Sequence, residues 1–115
     1  SRTSARKGIG GEMTAVFVSP AAEADLGAIT DHYLTEAGVE VALAFLAAWD
    51  RCTEHLGKFP ESGSPRLAIK LGIPGLRVWP LRGFPHLAVY NETDRGMTII
   101  RILHASRDIP RHLQA

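Results

Sequence analysis

The spacing of apolar positions changes along the chain, and each change predicts a new element. Residues 15–18 (AVFV) form a short apolar run, which predicts a strand. The apolar residues that follow recur every three or four positions, as in an amphipathic helix: Ala22, Leu26, Ile29 and Tyr33. Ser19 and Pro20 fit the start of this helix, because serine can cap free amides and proline is tolerated in the first turn. Gly38 is expected to end it.

A second amphipathic helix is expected directly after Gly38. Its apolar stripe again alternates spacings of three and four: Ala42, Phe45, Trp49, Cys52 and Leu56. Phe59 and Pro60 end the stripe. Because the connection between the two helices is short, the pattern predicts an antiparallel helical hairpin. We interpret both stripes as hydrophobic core rather than as a cofactor site.

The second half of the chain is predicted to contain a loop and three strands. Residues 60–75 are rich in proline and glycine, which predicts a loop, with a short extended piece at Leu67–Leu71. Strands are expected in three apolar segments separated by turn signals at 82–83 and 94–96: Leu76–Leu81, His86–Asn91 and Met97–His104. Pro80 has no amide hydrogen, so the first of these strands should lie at a sheet edge or be bulged there. The nearly continuous apolar run at 86–90 is typical of a central strand.

This order of elements defines an α+β fold: an N-terminal strand, an antiparallel helical hairpin, a three-stranded antiparallel meander and a short C-terminal helix. The helix is expected at Ile109–Leu113, with Asp108 as its cap. With 115 residues the chain forms a single domain, which we place at residues 14–115. Residues 1–13 show no apolar period and are interpreted as a tag remnant or a flexible N-terminal extension.

Composition and charge narrow the class of protein. One cysteine excludes an internal disulfide and suits a reducing cytoplasm, and no apolar run approaches the roughly 18 residues that span a bilayer. Residues 12–61 carry nine acids and two bases, whereas residues 62–115 carry three acids and eight bases, seven of them arginines. An arginine-rich surface on a nearly neutral protein suits phosphates or an acidic protein partner.

Four stretches, in this order, resemble the RelE/ParE superfamily of bacterial toxin–antitoxin toxins, and more closely its ParE branch. Residues 19–26 are similar to the SPxAxxDL start of the family, and residues 59–63 to its P-x-x-G loop. Three further short segments are similar to the GLR…FPY…FY strands of the family: Gly75-Leu76-Arg77, FPH at 84–86 and VY at 89–90. Residues 102–109 (ILHASRDI) resemble the ParE ending VLHGARDI. Together these stretches extend the resemblance over residues 14–113.

The resemblance implies either of two activities: RelE-like toxins cut mRNA on the ribosome, and ParE-like toxins inhibit DNA gyrase. Arg77 stands in place of the first RelE sheet lysine, but Trp79 replaces the next one, and His112-Leu113 replaces the C-terminal tyrosine. Arginine keeps a cation on the phosphate but does not readily transfer protons. We therefore favour a gyrase inhibitor without assigned catalytic residues.

Two alternatives remain open. Histidine could replace the missing acid–base groups of an mRNA endonuclease, and its site would then consist of His104, Arg107, His86 and Arg77. Alternatively, the domain is a non-toxic module that only binds an antitoxin and acts as its co-repressor. In the favoured interpretation, the residues that bind the target are Arg107, His104 and Arg77. Arg107 and Asp108 are adjacent in sequence. Asp108 is expected to cap the C-terminal helix, whereas Arg107 has no such structural role, so we assign the functional role to Arg107.

A toxin of this kind implies a cognate ParD-like antitoxin with a ribbon–helix–helix start and an acidic C-terminal tail, which together form a hetero-oligomeric complex in the bacterial cytoplasm. The predicted antitoxin-binding residues are Arg77, Arg82, Arg101 and Trp79. Strand alternation should point Arg101 away from its neighbours Ile100 and Ile102. We expect no cofactor and no membrane contact. No metal site is expected either, because the histidines lack ligand spacing.

Overall fold

The computed structural model describes residues 14–106, which fold as a four-stranded sheet with helices. In chain order the elements are β1 (Val16–Val18), α1 (Pro20–Ala37), α2 (Val39–Lys58), α3 (Arg66–Leu71), β2 (Leu76–Pro80), β3 (His86–Thr93) and β4 (Gly96–His104). The predicted α+β order of strand, helical hairpin and meander is confirmed. The interpretation of residues 1–13 and the predicted C-terminal helix lie outside the described residues.

The sheet has the strand order β1-β4-β3-β2. Strand β1 runs parallel to β4, and the other two pairs are antiparallel. As predicted, Pro80 ends an edge strand, where a missing amide costs no sheet hydrogen bond. The apolar run at 86–90 belongs to β3, which lies between β2 and β4. Residues buried on both faces of the sheet are expected at such a central position.

The helical hairpin forms where the apolar stripes predicted it. The Ser19 hydroxyl accepts a hydrogen bond from the Ala22 amide at 3.0 Å, so this serine caps α1. Gly38 connects the two helices with φ of 102°, a left-handed value that favours glycine. The hairpin packs its stripes against one face of the sheet, forming the main core of Ala22, Phe45, Ala48, Trp49, Cys52, Leu56, Leu81, Ala88, Tyr90, Met97, Ile99 and Ile102. Cys52 is buried there, as predicted.

The prediction of an extended piece at residues 67–71 is wrong, because Arg66–Leu71 forms the short helix α3. Gly72 ends this helix with φ of 69°, and its amide donates to the Ala68 carbonyl. The apolar residues Leu67 and Ala68 pack on the second face of the sheet against Leu76, Val89 and Leu103. Burial of this apolar side favours the helix, which covers part of the second face of the sheet beside β2 and β3.

A bulge in β4 breaks the strand alternation that the sequence suggested. Tyr90 is opposite Ile99, but Val89 is opposite Arg101, so β4 contains one extra residue at this point. Ile102 therefore packs in the main core, whereas Ile100 packs in the cluster on the other face. The expectation that Arg101 points away from both isoleucines is wrong, because these two isoleucines lie on opposite faces.

Candidate functional site

Arg77 lies on β2, but its guanidinium binds the protein itself. Its Nη1 donates to the Gly63 carbonyl at 2.7 Å and to the Glu61 carbonyl at 3.2 Å. The predicted role of Arg77 as a contact for target and antitoxin is therefore revised, because its guanidinium is bound within the protein. These carbonyls belong to the loop after α2 and lack partners from regular secondary structure, so an arginine with several donors stabilises the loop.

The same loop is bound from inside by Tyr90. The phenolic oxygen donates to the Pro60 carbonyl and accepts from the Gly63 amide, both at 2.8 Å. Burial raises the pKa of Tyr90, although the hydrogen bond from Gly63 lowers it in part. Gly63 leaves no room for a side chain, since an added Cβ would collide with the tyrosine ring and hydroxyl. The residues that resemble the family's P-x-x-G loop thus have a structural function here.

Arg101 also has an internal partner, which corrects its assignment to an outward-facing surface. Its Nε and Nη2 donate to the two carboxylate oxygens of Asp25 on α1, at 2.7 and 3.0 Å. The Ile102 amide donates to Asp25 as well, at 2.9 Å. Strand β1 has already ended at Val18, so the first two turns of α1 take over the edge of β4. The bulge and this ion pair fix the position of α1 on the sheet.

His86 and His104 lie opposite each other on β3 and β4. Their ring centroids are 5.5 Å apart, and His86 also packs edge-on against Phe45 in the core. Both histidines line a cleft of about 140 Å³ between α1 and β4, together with Asp25 and Arg101. His104 is the last residue of its strand, as predicted, and its Nδ1 accepts a hydrogen bond from the Ser106 amide at 3.3 Å.

The structure separates the residues proposed for an endonuclease site. Arg77 is opposite Tyr90, four positions along β3 from His86. That separation is roughly 13 Å at about 3.3 Å per strand residue. The Arg77 guanidinium is directed to the loop after α2, so it does not join the histidine pair. Arg107 and Asp108 lie outside the described residues.

Trp79 and Arg82 do lie together, in a second cleft of about 200 Å³. Trp79 stacks on His55 of α2 with centroids 4.5 Å apart and planes 12° from parallel. The Nε2 of His55 is 2.9 Å from the Ser62 hydroxyl, which fixes the ring. Arg51 of α2 lines the same cleft, so the cleft has one arginine from the helix and one, Arg82, from the sheet side.

The sequence interpretation did not include Arg51 and His55. Their spacing of four on an amphipathic helix placed them on one face, which was the available signal. The charge count pointed elsewhere, because residues 12–61 are mostly acidic. Only the fold brings these two side chains of the acidic half next to Trp79 and Arg82 of the basic half.

Apolar side chains are exposed at the tip of the helical hairpin. Leu34 is 47% exposed, Val39 is 58% exposed and Leu43 is 60% exposed. Val39 and Leu43 are one helical turn apart on α2, and Leu43 is on the same helix as Arg51. The surface along α2 therefore leads from exposed apolar side chains at the hairpin tip to Arg51 at the arginine-lined cleft.

Two classes of site are absent from the part of the chain between residues 14 and 106. No three histidine, cysteine, aspartate or glutamate side chains there are grouped to hold a metal ion. No helix in the same range has the length and apolar content to cross a lipid bilayer.

The sheet order, the helical hairpin and the loop bound by Arg77 and Tyr90 agree with the fold expected from the resemblance to the RelE/ParE superfamily, and comparisons with known proteins identify the branch. Residues 16–109 match the family described as "ParE toxin of type II toxin-antitoxin system, parDE". The chain belongs to this ParE toxin family and is the toxin component of a ParDE system. This confirms the resemblance to the ParE branch.

A solved structure agrees with the family. A chain of the structure titled "Chromosomal ParDE TA system from P. aeruginosa" is 27% identical, with a TM-score of 0.69. The similarity covers 82% of the present chain and 98% of that chain. No curated protein matches by sequence.

Proposed function

We propose that this ParE toxin inhibits DNA gyrase in the bacterial cytoplasm and does so by binding rather than by catalytic turnover. Membership of the ParE family is the observation that carries this proposal. The separation of Arg77 from the histidine pair supports it, because an RNase would need cations and proton-transfer groups around one phosphate. His104, at the rim of the cleft between α1 and β4, and Arg107 are the target contacts in this proposal. Arg77 contributes through the loop that it binds.

The same proposal assigns neutralisation to a ParD-like antitoxin with a ribbon–helix–helix start and an acidic tail. The surface best suited to that tail runs along α2, from the exposed Leu43 to the cleft of Trp79 and Arg82. An amphipathic segment could bury apolar side chains at the hairpin tip and meet positive charge further on. Arg101 and Arg77 leave the set of direct antitoxin contacts, since their guanidiniums have internal partners.

Purified toxin and purified gyrase test the proposal directly. We expect the toxin to reduce supercoiling of relaxed plasmid by gyrase, and the antitoxin encoded beside it to restore supercoiling. In growing cells, expression without antitoxin should arrest growth, and DNA damage should precede any fall in translation. Arrest with unaffected gyrase and early, codon-periodic mRNA cuts would contradict the proposal. A domain that binds antitoxin but neither arrests growth nor affects gyrase would instead be a co-repressor.

An mRNA endonuclease is the second candidate, and the histidine pair is the observation that favours it. His86 and His104 stand at one cleft with Arg101, so two imidazoles and a cation are close together. If this cleft cuts RNA, His104→Gln should abolish cleavage on ribosomes while the melting temperature stays the same. Intact mRNA with the unaltered toxin would exclude it.

A further inference from the structure

The cleft lined by Arg51, His55, Trp79 and Arg82 has the features of a binding site for a single anion. Arg51 comes from α2 and Arg82 from the turn between β2 and β3, so the two cations reach it from different elements. Between residues 14 and 106, the ion pair present joins Arg101 to Asp25, so neither cleft arginine is held in a salt bridge there. A cleft of about 200 Å³ is large enough for an acidic side chain together with ordered water.

The walls of the cleft strengthen the attraction for an anion. Ala48, Pro80 and the stacked rings of His55 and Trp79 supply apolar surface beside the two arginines. Charges near such surface are less screened than charges in open solvent. A guanidinium also offers paired donors, which match the two oxygens of a carboxylate.

The surroundings favour a carboxylate of a protein over the backbone of a nucleic acid. A nucleic acid carries a charge at every phosphate, so it needs a continuous basic track. Here the exposed acids Asp50 and Glu54 flank Arg51 on the same helix. They would repel the phosphates on either side of one bound in the cleft. A peptide with one acid among apolar residues brings a single negative charge near these acids and so meets less repulsion, and the exposed Leu43 on the same helix suits its apolar part.

We infer that this cleft receives one aspartate or glutamate side chain of the antitoxin's C-terminal segment, bound between Arg51 and Arg82. The inference rests on the proposed neutralisation by a ParD-like antitoxin. It assigns the electrostatic contact to two arginines that face the solvent. Arg77 and Arg101 act on the stability of the toxin instead. His55 is a positioning residue, because its ring holds the indole of Trp79 in place at the cleft wall.

Binding kinetics with matched variants test the inference. The probe is the antitoxin translated from the reading frame beside the toxin gene, immobilised on a sensor. The variants are Arg51→Gln, Arg82→Gln and the double variant, and thermal melts establish that each is folded. Arg66→Gln is the matched control, since it removes the same charge from exposed α3 on the opposite face of the sheet. We expect about tenfold weaker binding for each cleft variant, a weaker salt dependence for the double variant and no change for the control.

A scan of the antitoxin identifies the occupant. Each acid of its C-terminal half is replaced by the corresponding amide, and each variant is measured against unaltered and double-variant toxin. Replacement of one particular acid should weaken binding to unaltered toxin but should not weaken binding to the double variant any further, as expected for groups in contact. If every acid behaves independently of the cleft arginines, the inference is wrong.

Three further results overturn the inference in different ways. Wild-type affinity and salt dependence in the double variant would exclude the cleft but leave neutralisation intact, whereas an antitoxin that fails to bind unaltered toxin contradicts the proposed function itself. Binding of a 30-base-pair DNA duplex that is lost in the double variant would assign the cleft to phosphate.

Discussion

Replacing Asp25 by alanine should destabilise the domain although Asp25 is on a helix that faces solvent. Its carboxylate accepts three hydrogen bonds, two from the Arg101 guanidinium and one from the Ile102 amide. The side chain of Asp25 is 17% exposed and that of Arg101 is 27% exposed, so the pair is largely shielded from water. Alanine removes all three bonds at the place where α1 joins the edge of β4.

The size of the effect follows from these contacts. An exposed ion pair contributes about 0–1 kcal/mol and loss of one partner of a fully buried pair costs about 3–5 kcal/mol, so this shielded pair lies between them. A buried amide that loses its acceptor costs about 1–3 kcal/mol. Together these give a loss of roughly 2–4 kcal/mol of unfolding free energy. In a domain of this size each kcal/mol lowers the melting temperature by about 4–8 °C.

Urea denaturation followed by circular dichroism measures the loss. Asp25→Asn separates its two parts, because the amide oxygen can still accept from Ile102 but carries no charge. It should lie between wild type and Asp25→Ala. The control is Asp31→Ala, on the exposed side of the same helix, which should stay within about 0.5 kcal/mol of wild type. If Asp25→Ala also stays within that limit, the ion pair does not hold α1 on the sheet.

Further predictions concern the loop after α2, the buried thiol and the C-terminus. Tyr90→Phe removes both hydrogen bonds to the loop and should cost about 1–3 kcal/mol in urea denaturation. Gly63→Ala should cost more, and Tyr90→Phe should restore part of that loss, because the hydroxyl is the nearest atom to the added methyl group. Burial raises the pKa of Cys52 from 9.0 to about 12. The thiol therefore stays protonated in the folded state after it ionises in the unfolded state, so stability should fall as pH rises from 9 towards 12, by up to about 1.4 kcal/mol per unit. Cys52→Ala should fall less steeply over the same range. Arg107→Ala should weaken growth arrest and keep the melting temperature, while Asp108→Ala should lower the melting temperature through the loss of a helix cap.

Periodicity predicted the elements whose side chains alternate or repeat without interruption. The stripes of α1 and α2 are buried against the sheet because a helix hides one face, and the run at 86–90 is central because both its faces are covered. The short helix at 66–71 was missed, since its apolar side is matched to a surface built by distant strands. A local pattern of six residues does not contain that surface.

The arginines show why the candidate site could be predicted only in part. From the sequence Arg77, Arg82 and Arg101 are equivalent cations on a basic half-chain. In the fold two of them bind carbonyls or a carboxylate across 14 and 76 positions of sequence. The fold topology and the bulge in β4 bring these distant partners next to the two arginines, and neither can be read from the local sequence. Arg82 lies in the turn between β2 and β3, where its side chain is exposed.

The extra residue in β4 determines where this strand could change in length. On both sides of it the alternation between the two faces is intact, as the positions of Met97, Ile99 and Ile102 in one core demonstrate. Deletion of Ile100 would thus yield a regular strand, not a strand with its faces exchanged. Arg101 would then be an ordinary residue opposite Val89, pointing to the face away from α1 and Asp25. A relative with one codon fewer at this position should therefore keep the sheet and lose the ion pair, and its Asp25 equivalent would retain only the hydrogen bond from the amide of Ile102.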